Sequence, residues 1–229
     1  MYFIRDYEGP KPYQPGPAPD VLILGQDPTV DQHRKFYSVL GLEKPGSREE
    51  NESRLLQRYI KDRILQKLGI DESRIIATNL VNAYYHDVPN KKIAKLYEKQ
   101  IIRAAKKIGI DIAKYPEKAN GAILHALNFE CATRKELELT IRDHPIDHVI
   151  TLGEPVYQVL RERYCLDLIP KIKDILKSIG REPPRVLVAQ KEITLLPLPH
   201  IFNERNPKWK FYRDFMDNKL FLLAEVYKR

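Results

Sequence analysis

Cysteine is almost missing from this chain: Cys131 and Cys165 are the only two among 229 residues. Two thiols cannot ligate an iron-sulfur cluster or a cysteine-rich zinc site, which take about four, so both are expected as small core hydrophobes. No apolar run approaches the roughly 18 residues of a membrane-spanning helix. The amino terminus, MYFIRDYEGP, carries acidic residues where a secretory signal needs an apolar centre, and a cytoplasmic address is expected. Neither a GxGxxG turn nor a GxxxxGKS or GxxxxGKT loop occurs, which argues against dinucleotide or P-loop binding. Internal repeats are absent, as is any linker that would divide the chain. Methionine is scarce beside plentiful Lys, Glu and Arg, a compositional trend shared with thermophile proteins.

What is present is a basic, globular composition. Lys and Arg number 39 against 31 Asp and Glu, a net charge of +8, which favours a polyanionic partner. At this length one α/β domain is the economical reading. A proline-rich arm precedes it: residues 1–19 hold five prolines and are expected to lie extended over the fold or to form a tail.

Val21 to Gly25, VLILG, reads as a buried strand that stops in the polar turn Gln26, Asp27, Pro28, with a short helix or loop over 29–40. Ser47 and Glu50 form a capping box for a helix bearing Leu55, Leu56, Tyr59, Ile60, Ile64 and Leu68, closed by Gly69. Residues 74–81, RIIATNLV, make a second strand by their β-branched content. A helix with Ile93, Leu96, Tyr97, Ile101 and Ala105 follows, then a helical insertion over 110–132 and a short helix capped by Thr133 and Glu136. Residues 147–153 are the third strand, 154–164 a short helix, and 185–189 and 193–198 strand candidates around a Lys-Glu turn. A long helix over 206–227, with Phe211, Phe215, Leu222, Leu223 and Val226 on its apolar side, closes the chain. This alternation predicts a three-layer α/β/α fold around a central, mostly parallel, four-stranded sheet.

Open sheets of this kind place their chemistry at the carboxyl ends of the strands. Three such ends are polar here: Asp27, the pair Asn79 and Asn82, and His200 after the run LLPLP. Singly, each has a plain structural alternative. Asp27 can cap a helix or close an Asx-turn, either Asn can bond its own backbone, and His200 can be a structural imidazole. In combination, GQDP after a first strand, TN at the end of a second, VITLG before a helix and a late His opening the loop HIFNERNP resemble the uracil-DNA glycosylase superfamily. The resemblance covers roughly residues 20–100 and 145–215.

That resemblance implies a uracil-DNA glycosylase-like fold and a DNA repair hydrolase. Such an enzyme flips uracil, or a related deaminated or 5-substituted base, out of single- or double-stranded DNA and hydrolyses its N-glycosidic bond. It implies action as a monomer with no metal or organic cofactor and no membrane, in the cytoplasm with the nucleoid, or in the nucleus of a eukaryote. Asp27, ionised, would orient or deprotonate the attacking water and stabilise the cationic sugar. His200 would donate a hydrogen bond to the oxyanion that develops on the departing base. Asn79, which the match to TNLVN favours over Asn82, would donate to one uracil carbonyl and accept from the ring N–H; Asn82 is the second choice. Gln26 belongs to the same pocket, and Phe36 or Tyr37 would stack on the base. Beyond His200, Ile201 and Phe202 would wedge into the vacated stack while Arg205, Lys208 and Lys210 meet phosphates.

Two positions depart from the family pattern. Thr29 stands where many relatives have Tyr or Gly, at the wall that excludes a 5-methyl group, and Ile201 stands where Pro is usual. Relatives with an iron-sulfur cluster use four cysteines, so this chain would be a cluster-free member. The non-enzyme alternative is a DNA-binding module of the same fold with activity reduced or lost. Asp27 argues against it, because a carboxylate near a polyanion repels phosphate and adds nothing to binding alone.

Overall fold

A computed structural model describes residues 12–25, 29–30, 37–38, 42, 56–80, 136–164, 167–169, 171–180, 182–200 and 207–228. At its centre β1 (Val21–Gly25) runs parallel between β4 (Ile75–Asn79) and β5 (His148–Leu152). On the far side of β5 lies the parallel β7 (Lys191–Leu198), and β6 (Arg185–Val188) pairs antiparallel with β7 at the edge. The order is β4-β1-β5-β7-β6. All of β1 and β4 is buried, as is β5 beyond His148, so both faces of the sheet are covered. That is why VLILG and IIATN are unbroken in character where a half-exposed strand would alternate. β6, at the edge, does alternate exposed and buried residues.

The α/β class and the mostly parallel sheet agree with the sequence reading, but the expected four strands are five. The last two candidates form a hairpin, which adds the antiparallel edge strand β6. Its turn is not at Lys191 and Glu192, which pair with Val188 and Leu187 inside the ladder. It is at Ala189 and Gln190, with φ of 51° and 67°, the left-handed pair of a two-residue hairpin turn whose twist matches its strands. The register sets Val186 against Ile193, both buried.

Pro197 lies within β7 without breaking the sheet. The Thr194 N–H bonds Asp147 O towards β5, whereas the Leu195 N–H bonds Pro184 O on the other flank. By alternation the Pro197 nitrogen also faces that other flank, where β6 has ended at the pair Arg185 with Thr194. No ladder bond is forfeited there, so the sheet tolerates the proline.

Helix α1 is π-helical over Tyr59–Leu65 and continues as Gln66–Leu68, ending at Gly69 with φ 65°. Leu56, Ile60, Ile64 and Leu68 are all buried. A spacing of four drifts about 40° per step on an ideal α-helix of 3.6 residues per turn, and the wider π turn returns the stripe to the core. Among the described residues the remaining helices are α2 (Glu136–Asp143), α3 (Glu154–Tyr164), α4 (Ile172–Ser178), α5 (Lys210–Asn218) and α6 (Ala224–Tyr227). α4 has no counterpart in the sequence reading, although Ile172, Ile175 and Leu176 bury at helical spacing.

Two further expectations need correction. The long closing helix is broken at Lys219 (φ −127°) and passes through a 3-10 turn, Leu220–Leu223, before α6. The break turns Leu220, Leu223 and Tyr227 inward and leaves Leu222 47% exposed. Within 29–40, where a helix or loop is expected, Thr29–Val30 (β2) and Tyr37–Ser38 (β3) pair antiparallel, and the other residues of that stretch lie outside the described residues. The capping boxes at Ser47 and Thr133, the helix over 93–105, the insertion over 110–132 and both cysteines lie outside the described residues.

At the amino end of the sheet, Asp20 is fully buried and ties three strands together. Its carboxylate takes two bonds from Arg74 Nε and Nη2 at 2.9 and 2.6 Å, and its carbonyl accepts from Asp147 and His148 N–H. Arg74 Nη1 also donates to Tyr227 O at 2.6 Å, which anchors α6. The arm before Asp20 lies along β4: Tyr13 exchanges both backbone bonds with Ala77 at 2.9 and 2.8 Å. Gly16 passes so close to Ser73 that a Cβ would sit 1.9 Å from its carbonyl oxygen.

Candidate functional site

The chain passes from β1 to β4 on one side and from β5 to β7 on the other, so the strand order reverses between β1 and β5. The crevice at such a switch point, outside the carboxyl ends of the strands, is where open α/β sheets bind ligands. Asn79 ends β4 at the same carboxyl edge of the sheet, on the other side of β1 from that crevice. It pairs in register with Gly25, the last residue of β1, and the Leu80 N–H bonds Gly25 O at 2.8 Å. The Asn79 side chain is 1% exposed, and among the described residues neither Oδ1 nor Nδ2 has a hydrogen-bond partner. A buried amide in that condition costs about 1 to 3 kcal/mol for each unmade bond.

His200 leaves the same end of the sheet, two residues past β7. Burial holds its imidazole below the ordinary pKa, so it is neutral at pH 7. Two contacts hold the backbone that delivers it. The Tyr59 hydroxyl, buried in α1, donates to Pro199 O at 2.7 Å. The Gly153 N–H donates to Leu198 O at 2.8 Å, and the Cβ position of Gly153 lies 3.6 Å from His200 Cβ. Gly153 has φ 95°, a conformation a side chain would strain, and it turns the chain from β5 into α3 beside the histidine. β4 and β7 are three strand spacings apart, about 14 Å at 4.8 Å each.

Glu154, the first residue of α3, adds a carboxylate to this rim. Gln158 Nε2 donates to its Oε1 at 2.9 Å and the Ile172 N–H to its Oε2 at 3.3 Å. Burial raises its pKa against those bonds. The Tyr212 hydroxyl, pushed up to about 12 by burial and by the charge of Glu154, belongs to the same cluster.

Of the residues singled out by sequence, Asn79 and His200 stand at one end of one sheet. Lys210 is exposed at the start of α5, in the segment that follows His200. Thr29 pairs through its backbone with Ser38, and Tyr37 with Val30, so this pairing brings these two candidate segments side by side. The Lys208 backbone lies in the 3-10 turn Pro207–Trp209. Gln26, Asp27, Phe36, Asn82, Ile201, Phe202 and Arg205 lie outside the described residues. Tyr59 and Glu154 were missed as site residues: Tyr59 read as one more apolar position of α1, and nothing local marks a bond to a residue 140 positions away. Gly153 carried a weak signal, a glycine between a strand and a helix.

Chemically, the arrangement offers a buried donor and acceptor from one amide, and across the crevice an imidazole that is neutral yet able to donate. Among the described residues no three His, Cys, Asp or Glu side chains are grouped to hold a metal ion, and no helix is long and apolar enough to cross a membrane. No family model matches the chain, and no curated protein matches it.

Proposed function

We propose that this chain is a DNA glycosylase of the uracil-DNA glycosylase type, with the three-layer fold of that superfamily. It would hydrolyse the N-glycosidic bond of uracil or a related base flipped out of DNA. The observation that carries the reading is the Asn79 amide, buried and unpartnered among the described residues at the carboxyl end of β4. A pyrimidine with adjacent carbonyl and ring N–H offers that amide one acceptor and one donor, whereas cytosine presents an amine and a bare ring nitrogen. His200 supports the reading because a neutral imidazole can donate to an oxyanion forming on the base without an ion buried in the resting site. In sequence Asp27 stands two residues beyond Gly25, the last residue of β1, and in this reading its carboxylate would orient water against the sugar. DNA as partner agrees with the net charge of +8.

The test is an oligonucleotide carrying a single uracil, incubated with the protein in a chelator and then treated with alkali. Strand breaks at the uracil position are expected, and Asp27→Asn should lose most of them while retaining DNA affinity. Folded protein that binds the oligonucleotide without producing breaks would leave the DNA-binding module as the reading. Protein that neither binds nor cuts would remove DNA altogether.

A further inference from the structure

We infer that α4, with the lysine that precedes it, is a rail for the phosphates of the DNA strand flanking the site; this rests on the glycosylase reading. Lys171, Lys173 and Lys177 are exposed along one short helix. The carboxylate among them, Asp174, lies 3.0 Å from Lys177, and its pKa is lowered by the Lys177 bond and by the charges of all three lysines. Three cations around one exposed carboxylate leave a surplus. α5 packs against α4 and extends it with exposed Lys210 and Arg213, offset by Asp214. Lys173 Nζ lies 5.8 Å from the centroid of the Phe211 ring, which holds it at the junction of the two helices.

Placement makes this more than a solvated face. The amino end of α4 is clamped to Glu154 through the Ile172 N–H, and Glu154 directly follows Gly153, the residue against His200. The loop leading into α4 is fixed as well: Tyr157 donates to Ile169 O at 2.5 Å and Arg161 Nε to Leu168 O at 2.7 Å. Ile172, Ile175 and Leu176 bury the inner face. The lysines therefore begin at the rim of the crevice on an element already ordered, and docking need not order it. From Lys171 to Lys177 the rise is about 9 Å at 1.5 Å per residue, which spans about three phosphates of one strand at 3.4 Å each.

The experiment measures the affinity of the full chain for a fluorescent uracil oligonucleotide over a series of salt concentrations. It compares wild type with K171Q/K173Q/K177Q, with K171R/K173R/K177R, and with a charge-matched control, R185Q/K191Q/K228Q, at the other end of the sheet. Loss of three phosphate contacts should flatten the dependence of log Kd on log salt by about 2 to 3. The arginine variant should keep the wild-type slope, which guards against a folding defect, and so should the control. A wild-type slope in the glutamine variant, or equal flattening in the control, overturns the rail and leaves the glycosylase reading standing. Wild type without salt-dependent DNA binding overturns both.

Discussion

An amide buried without partners is a liability that an apolar residue of the same shape would not carry. Asn79→Leu should therefore leave the protein as stable as wild type or more so, by up to about 2 kcal/mol, while abolishing uracil excision. Chemical denaturation paired with the oligonucleotide assay checks both halves, and a variant both destabilised and active would contradict the assignment. His200 gives a pH test with a definite sign. Its folded pKa is depressed by burial, so below the ordinary imidazole value near 6.5 the unfolded chain takes up a proton that the native state resists. Stability is then full above about pH 6.5 and falls as pH drops through the window beneath it. His200→Gln should lose less stability than wild type between pH 7 and pH 5, as read by denaturant titration. The positions of Asn79 and His200 at strand ends were legible because a polar residue ending an apolar strand is a local pattern. Tyr59 was not, because its role is a hydroxyl bond made across the fold.

At the scale of elements, the hairpin turn stores strain that chemistry can remove. Ala189 and Gln190 both adopt positive φ, and each non-glycine residue there costs about 1 to 2 kcal/mol. Replacing them with Asn and Gly, the pair such turns prefer, should raise stability by about 1 kcal/mol, seen as a higher midpoint with an unchanged denaturant slope. The same residues explain the misplaced turn in the sequence reading: Ala-Gln carries no turn signature, while the charged Lys191 and Glu192 next to it suggest one. Strands β1, β4 and β5 were legible because buried parallel strands are short apolar runs with polar ends. The break at Lys219 has no Gly or Pro to announce it, and the packing of Leu220, Leu223 and Tyr227 overrides a continuous helical pattern.

At the scale of the molecule, the two ends of the sheet have different tasks. The amino end is held by Asp20, fully buried and bonded to Arg74 and to the backbone of β5. Asp20→Ala would leave Arg74 without its counter-charge and should cost about 3 to 5 kcal/mol, measured as a fall in thermal midpoint. The α/β class was readable from the alternation of elements, but this knot was not, since it joins residues distant in sequence. At the carboxyl end, Pro197 and Pro199 fix their own φ and confine Leu196 and Leu198 to extended conformations. Four consecutive residues before His200 therefore have little torsional freedom, and the Tyr59 bond pins the last of them. The histidine is carried on a strut, not a hinge. On the glycosylase proposal, the imidazole would stand as the stationary post against which the base is brought to rest.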